Sequence, residues 1–309
     1  MERHFEPVTC IATSVLTVLL FVSTTTLNGF LLYVIYKDPL NRLRKPVTSF
    51  ITAITVMDLL TGLLCDTSQA ISEIRCALKM NTETQFELGS FNGIATFFTV
   101  NSATLLILAM STERFIAVGF PYFYRQRVTR KRSRVIAVCI CMYSFVFSIL
   151  QLTSVDLGTY ETVDVYLHTV VPIITVIIIY IAISCMLRSQ RKKLSYTDTD
   201  GDGRRSCQLK SGTNKMNDLK REKKLVFAAF LIALLLLLAF LPYTVMVTTS
   251  ACCESCKSKD WFIFIGRIAM PFVFTNSAAN PFVFALRMRD IQKSIKVILS
   301  RSFARDTRL

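Results

Sequence analysis

Seven stretches of the chain are apolar for about the length needed to cross a lipid bilayer, and this constrains the fold more than any other feature. They run about 9–36, 46–71, 87–119, 133–153, 161–187, 223–249 and 261–285. A bilayer's hydrocarbon core takes ~20 helical residues to cross. No water is at hand there to satisfy backbone N–H and C=O groups, so each stretch must be a helix. The sequence therefore predicts an all-α membrane protein, a seven-transmembrane helix bundle. Composition agrees: 52% of the 309 residues are hydrophobic, 23 are Phe, and mean hydropathy is +0.46. Segment 9–36 is too long for a signal-peptide core and lacks a small-residue cleavage pattern, so it reads as a retained first span.

Charge then orients the bundle. Lys and Arg outnumber Asp and Glu by 36 to 21, and 29 of the 36 lie in four places: 37–46, 125–134, 188–224 and the tail after 286. These alternate with connections that carry few. The positive-inside rule puts the four basic segments in the cytoplasm and residues 1–8 outside, as expected of a multi-pass plasma-membrane protein. The net charge of +15 is thus topological, and nucleic acid is not an expected partner. Residues 188–222 read as a basic flexible loop. Within it Asp198-Thr199-Asp200-Gly201-Asp202-Gly203 imitates a calcium loop, but Leu209 stands where a bidentate Glu is required. In 286–309, Met288, Ile291, Ile295, Ile298 and Leu299 share one face with basic flanks, which predicts an amphipathic helix on the inner leaflet.

Polar groups inside the spans carry the chemistry. Asp58 lies mid-segment, where an ionised side chain costs roughly 2.5–3.5 kcal/mol on insertion scales, so it should face the bundle interior and hold a partner. Asn28, Asn276, Ser277 and Asn280 are the candidates, as a hydrogen-bond network or as a small-cation site. Glu113-Arg114 closes the third apolar run at its cytoplasmic mouth. Pro172, Pro242 and Pro281 remove backbone donors from the fifth, sixth and seventh segments and should kink them. The spans hold no His/Asp/Glu cluster and no nucleophile–base pair, and the ten cysteines and two histidines show no zinc spacing. Neither an enzyme nor a cofactor is expected.

Taken together the motifs resemble those of rhodopsin-like (class A) G-protein-coupled receptors, over essentially the whole chain. Asn28 matches the first-helix Asn, and Ile54 to Asp58 the Leu-x-x-x-Asp pattern. Glu113-Arg114-Phe115 stands for Asp/Glu-Arg-Tyr, with Pro121 beyond it. Pro172 and Tyr180 match the fifth-helix pair, Phe240-Leu241-Pro242 stands for Trp-x-Pro, and Asn280-Pro281-Phe282-Val283-Phe284 for Asn-Pro-x-x-Tyr.

The resemblance implies roles. Arg114 would pair with Glu113 and with Glu222 at the start of the sixth helix. Opening that clamp would let the sixth helix swing outward and expose a groove for a heterotrimeric G protein, with Tyr180 holding the open form. Asp58, Asn276, Ser277, Asn280 and Thr99 would form an allosteric sodium pocket. An extracellular small-molecule or peptide ligand would meet Thr96, Phe97, Val100, Asp164, His168, Tyr243, Val247, Met270 and Phe274. Thr96 stands where amine receptors carry Asp, and Phe274 where opsins carry the retinal Lys. A wet Glu113–Arg114 pair would contribute only ~0–1 kcal/mol, against about 5.5 kcal/mol to carry a switch from 1:99 to 99:1.

The sequence also departs from the family pattern. Gly89 stands where the third-helix Cys is usual, and the 154–163 loop has no Cys to pair with it. Outside lie Cys10, Cys76, Cys252, Cys253 and Cys256, so a bridge within the last loop, or from it to Cys10, is expected; melanocortin-type receptors are similar here. Cys141 and Phe240 replace two Trp, Phe284 replaces a Tyr, and Ala103 replaces a hydroxyl. Asp66, Glu73, Glu83, Glu87 and Glu161 read either as an acidic exterior attracting a cationic peptide or as solvated outer faces. A transporter or channel, or a non-signalling seven-helix binding protein, is the alternative.

Overall fold

The structure, a computed structural model, describes residues 5–80, 83–153, 155–197, 227, 230–231 and 234–306. Among them are seven helices long and apolar enough to cross a membrane: Thr9–Lys37, Pro46–Ala77, Phe91–Gly119, Arg130–Leu152, Leu157–Gln190, Leu234–Cys252 and Asp260–Leu286. No strand occurs among the described residues. The seven-helix bundle that apolar length predicts is therefore present. The start of the sixth segment, Glu222, the 198–209 acidic turn and residues 1–4 lie outside the described residues.

The second and third spans are the most enclosed; the second packs on the first, third, fourth and seventh, and the third also touches the fourth and fifth. The fourth is least enclosed, and side chains such as Val138 and Met142 face outward from it, as a helix lined by lipid requires. Loop ends are held locally. Asp38 accepts from the backbone N–H of Arg42 (3.0 Å) and Leu43 (3.2 Å), folding the first basic loop back so that Leu43 is buried. Thr129 caps the fourth span through the Arg132 N–H at 3.3 Å. Asp156 caps the fifth, accepting from the Thr159 N–H at 2.9 Å and hydroxyl at 3.0 Å; those donors hold its carboxyl below the ordinary aspartate range.

The second span reaches Ala77 rather than ending near 71. Its last turns are polar in sequence, but their inward positions find partners: Glu73 accepts from the Thr13 hydroxyl at 2.6 Å and the Gln69 amide at 3.0 Å, and lies 3.9 Å from Arg267. A π-helical turn, Thr61–Asp66, interrupts the span where it meets the first helix most closely. Gly62 sits in that turn, and a Cβ there would stand 2.8 Å from Thr25 Oγ1. Asp66 and Glu73 are consequently buried rather than part of a solvated acidic exterior.

The tail forms a helix, Arg289–Asp306. Its predicted apolar face divides: Met288 and Ile291 are buried against the bundle, while Leu299 is exposed. Lys45 of the first basic loop pairs with Asp290 and ties the tail helix down. The face packs on protein at one end and is left for lipid at the other.

The helix contact at Gly62 gives a direct check. Gly62→Val should lower the melting temperature of the purified chain, at an overpacking cost of about 1–3 kcal/mol. Gly29→Ala, in open space, should leave it unchanged or raise it. Equal melting behaviour of the two variants would refute the close approach.

Candidate functional site

Three polar constellations lie along the bundle axis, separated by apolar packing. The first is at the end where the basic loops gather. Arg114 Nε donates to Glu113 Oε2 and Nη2 to Oε1, both at 2.6 Å, a two-pronged contact between neighbouring residues. Tyr124, in the short helix Pro121–Arg127 that follows the third span, donates its hydroxyl to the same Oε1 at 2.5 Å and accepts from Arg114 Nη2 at 3.2 Å. The Arg114 and Glu113 side chains are only 9% and 4% exposed. This overturns the expectation of a wet, weak pair: a charge-assisted contact shielded from water is stronger, and breaking it strands a buried charge. Burial of its ring first, and then the Glu113 charge, push the Tyr124 phenol up above its ordinary pKa. Tyr180 is buried one turn deeper, its hydroxyl 2.8 Å from that of Ser111.

The second constellation surrounds Asp58, which is wholly buried. Asn280 Nδ2 donates to Asp58 Oδ2 at 2.8 Å, and Asn28 Nδ2 donates to the Ser277 carbonyl at 3.0 Å. Four acceptors here, Asp58 Oδ1 and the Oδ1 atoms of Asn28, Asn276 and Asn280, have no hydrogen-bond partner among the described residues. Carbonyl and carboxylate oxygens cannot satisfy one another, so this oxygen-rich donor set fits a hard cation such as sodium. Thr99 instead spends its hydroxyl proton on the Ala95 carbonyl (2.9 Å) and stands 3.6 Å from Cys65 Sγ. Pro281 and Phe284 are buried beside this region in the seventh span, whose interior also holds Pro271.

The third is a cavity toward the opposite end, lined by Thr96, Phe97, Val100, Asn101, Asp164, Phe240, Tyr243, Met270 and Val273. The space between its atoms is about 270 Å³, of which about 20 Å³ admits the centre of a water molecule. Six of the nine residues expected to meet a ligand line it. His168, Val247 and Phe274 do not; they are buried behind it. His168 backs Asp164 instead: Nδ1 lies 3.0 Å from Asp164 Oδ1, and Nε2 lies 2.9 Å from the Tyr143 hydroxyl. Asn101 Nδ2 donates to the same Oδ1 at 2.6 Å. The tautomer protonated at Nδ1 satisfies the chain, with Tyr143 donating to Nε2. The Tyr243 hydroxyl is buried with no partner among the described residues. Phe240 lines the cavity, with the exposed Leu241 and the half-buried Pro242 directly after it in the sixth span.

Sequence reasoning missed Tyr124, Ser111, Asn101 and Tyr143. Only Asn101 carried a signal: it lies one helical turn beyond Phe97, on the face already assigned to the ligand. One bridge is as expected and one is not. Cys253 pairs with Cys256 within the last loop, whereas Cys10 pairs not with that loop but with Cys76 at the end of the second span, and Cys252 is free and exposed. The Cys10–Cys76 bridge joins two helices already in contact, beside Glu73 and Arg267.

Comparison with known proteins places this arrangement. The profile of the 7 transmembrane receptor (rhodopsin family) matches residues 27–165 and 158–284. The chain is similar to the prostaglandin E2 receptor EP2 subtype of Rattus norvegicus, 24% identical over 226 residues, which is 66% of this chain and 60% of that receptor. The Homo sapiens counterpart is 22% identical over 226 residues, with the same coverage. The alpha-2A adrenergic receptor of Danio rerio is 28% identical over 102 residues, 33% of this chain and 25% of that one. The chain thus spans about 60% of the length of the prostaglandin receptors it matches.

The bridge pattern is open to mass mapping of non-reduced peptides. Cys10 should be found linked to Cys76 and Cys253 to Cys256, with Cys252 alkylated without prior reduction. A Cys10 peptide linked to the 252–256 segment would contradict the structure.

Proposed function

The chain belongs to the rhodopsin family of seven-transmembrane receptors, and we propose that it acts as a G-protein-coupled receptor. In this reading a ligand enters the Asp164 cavity from outside the cell, and the basic end of the bundle opens to a heterotrimeric G protein by outward movement of the sixth helix. The charge rule supports this orientation, with the loops around Lys45, Arg127 and Arg289 in the cytoplasm. The observation that carries the reading is the shielded Glu113–Arg114–Tyr124 latch at that end. A buried arginine fixed at the mouth of a bundle by Glu113 and Tyr124 is held in reserve: freed, its guanidinium can turn to a partner that wedges the helices apart. Glu222 is the proposed second tether, from the sixth helix.

The two ends communicate through the packed axis. Phe240 lines the cavity, and below it the Asp58 constellation joins the second and seventh spans. A ligand that presses Phe240 aside shifts the sixth span at its Pro242 bend, where a backbone hydrogen bond is missing. The latch then adds a threshold rather than deciding the equilibrium alone, because a full switch takes about 5.5 kcal/mol.

The cavity also indicates a ligand chemistry. Asp164 is the one charged side chain lining it; the rest is apolar or neutral. Prostaglandin E2, named for the rat and human relatives, is a carboxylic acid and would set one carboxylate against another. We propose instead a compact apolar ligand with a protonated amine, which Asp164 would pair and the Tyr243 hydroxyl would hydrogen-bond. The carboxylate comes here from the fifth span, with Thr96 leaving the third-span position neutral.

Tyr124→Phe removes the hydroxyl that bridges Glu113 and Arg114; with a hydrogen bond to a charged group worth about 1.5 kcal/mol, it should raise ligand-free G-protein activation ~10-fold or more. Glu222→Ala should act in the same direction. Unchanged basal activation at matched surface expression would defeat the latch. For the ligand, a screen of apolar amines against apolar carboxylic acids should give its hits among the amines, each losing roughly tenfold or more in potency in Asp164→Asn. Hits confined to the acids would overturn the assigned chemistry while leaving the receptor reading intact.

A further inference from the structure

Asp66 has no place in the latch, the Asp58 constellation or the ligand cavity, yet it is wholly buried, and neither carboxylate oxygen has a hydrogen-bond partner among the described residues. It closes the π-helical turn Thr61–Asp66, against the first span. Thr24 of that span is also wholly buried, and its hydroxyl is a donor facing the Asp66 carboxylate without closing to full hydrogen-bond geometry. The neighbouring Thr25 hydroxyl, pressed against Gly62 one turn before Asp66, is equally without a partner. Most serines and threonines of the first span, by contrast, return their proton to a carbonyl of the preceding turn, as Ser14, Thr17 and Thr26 do. Two hydroxyls on adjacent residues, one facing the Asp66 carboxylate and one against the turn that carries it, break that habit at a single place.

An ionised carboxylate in such surroundings is strongly disfavoured unless something positive or proton-donating meets it. Among the described residues no basic side chain forms an ion pair with it. Arg267 is 3.9 Å from Glu73, about two helical turns beyond Asp66. Asp58 lies eight residues back along the same helix, about 12 Å at the usual rise, and carries its own asparagine partners. The two carboxylates are therefore separate positions, each surrounded by oxygen. Oxygen-only surroundings select hard cations, and a single carboxylate balances a single positive charge. The described residues contain no group of three or more acidic, His or Cys side chains of the kind a divalent or transition metal takes.

We propose that Asp66, Thr24 and Thr25 form a second monovalent-cation site, distinct from the Asp58 constellation and set between the first span and the π-helical turn of the second. The carboxylate supplies the charge and the two hydroxyls supply neutral ligands. The extra residue of the π turn is what swings Asp66 toward the first span, so the irregular helix and the site have one cause. A cation there would cross-link the first and second spans at the level where the Gly62 contact brings them together.

The experiment uses the full chain in lipid nanodiscs, with sodium chloride exchanged for choline chloride at constant ionic strength and thermal unfolding as readout. The Asp58→Asn background removes the neighbouring position. In it, sodium should still raise the melting temperature along a saturable curve, and adding Asp66→Asn or Thr24→Val should abolish that rise. A sodium response absent from Asp58→Asn, or unchanged by either added substitution, would overturn the site. So would an infrared band of a protonated carboxylic acid at neutral pH in saturating sodium that disappears in Asp66→Asn, because it would mean that a proton and not a cation neutralises the group. A variant too unstable to purify is replaced by Thr24→Ser, which keeps the hydroxyl and should retain the full sodium response. Loss of that response in Thr24→Ser would count against the site.

Discussion

Everything in this bundle depends on the cost of placing polar groups where lipid excludes water. That cost makes each apolar stretch a helix, and it returns the first-span hydroxyls to their own backbone. It also gives meaning to the side chains that are not so satisfied. Asp58, Asp66, Asp164 and the Glu113–Arg114 pair all lie inside the protein, and each has drawn a different solution. Asp164 is backed by Asn101 and His168, Glu113 by Arg114 and Tyr124, and Asp58 by Asn280 in part. Asp66 has only hydroxyls beside it.

The energetics follow from these surroundings. A solvent-exposed pair at the third helix's end would be a bias of less than 1 kcal/mol. With the Arg114 side chain 9% exposed and Tyr124 closing over it, the pair is a threshold that must be broken as a unit. Only about 20 Å³ of the cavity admits the centre of a water molecule, so in the proposed reading a ligand has to displace lining side chains such as Phe240 and Met270. Tight packing makes such a displacement travel, since packed helices shift as bodies rather than deform. The two asparagines and two prolines of the seventh span give that motion a path along the axis.

Much of this was legible in the sequence, and the exceptions are physical. The spans could be counted because lipid imposes apolar length, and the site residues at Glu113, Asp58 and Asn280 because motif spacing fixed them. Helix ends were less legible. Ser72 to Ala77 looks like a loop by composition, but Glu73 is buried through Thr13 and Gln69, contacts made sixty residues apart or one turn apart that no local pattern shows. Asp66 read as an outer acid for the same reason: one added residue in a π turn redirects a side chain without changing composition. Tyr124 was invisible because its role depends on a seven-residue helix folding back onto the third span. The partner of Cys10 depends on which helix ends meet, and apolar length says nothing about that.

The central claim is that the basic end opens around the third helix when a G protein binds. It is tested most directly by the distance between spin labels at Arg42→Cys and Phe230→Cys, with Cys139, Cys141, Cys185, Cys207 and Cys252 replaced by Ser. Purified receptor alone should give a single shorter distance. Adding nucleotide-free heterotrimeric G protein should populate a distinct longer one, and Tyr124→Phe should populate it without a partner. One unchanged distance under all three conditions would contradict the account.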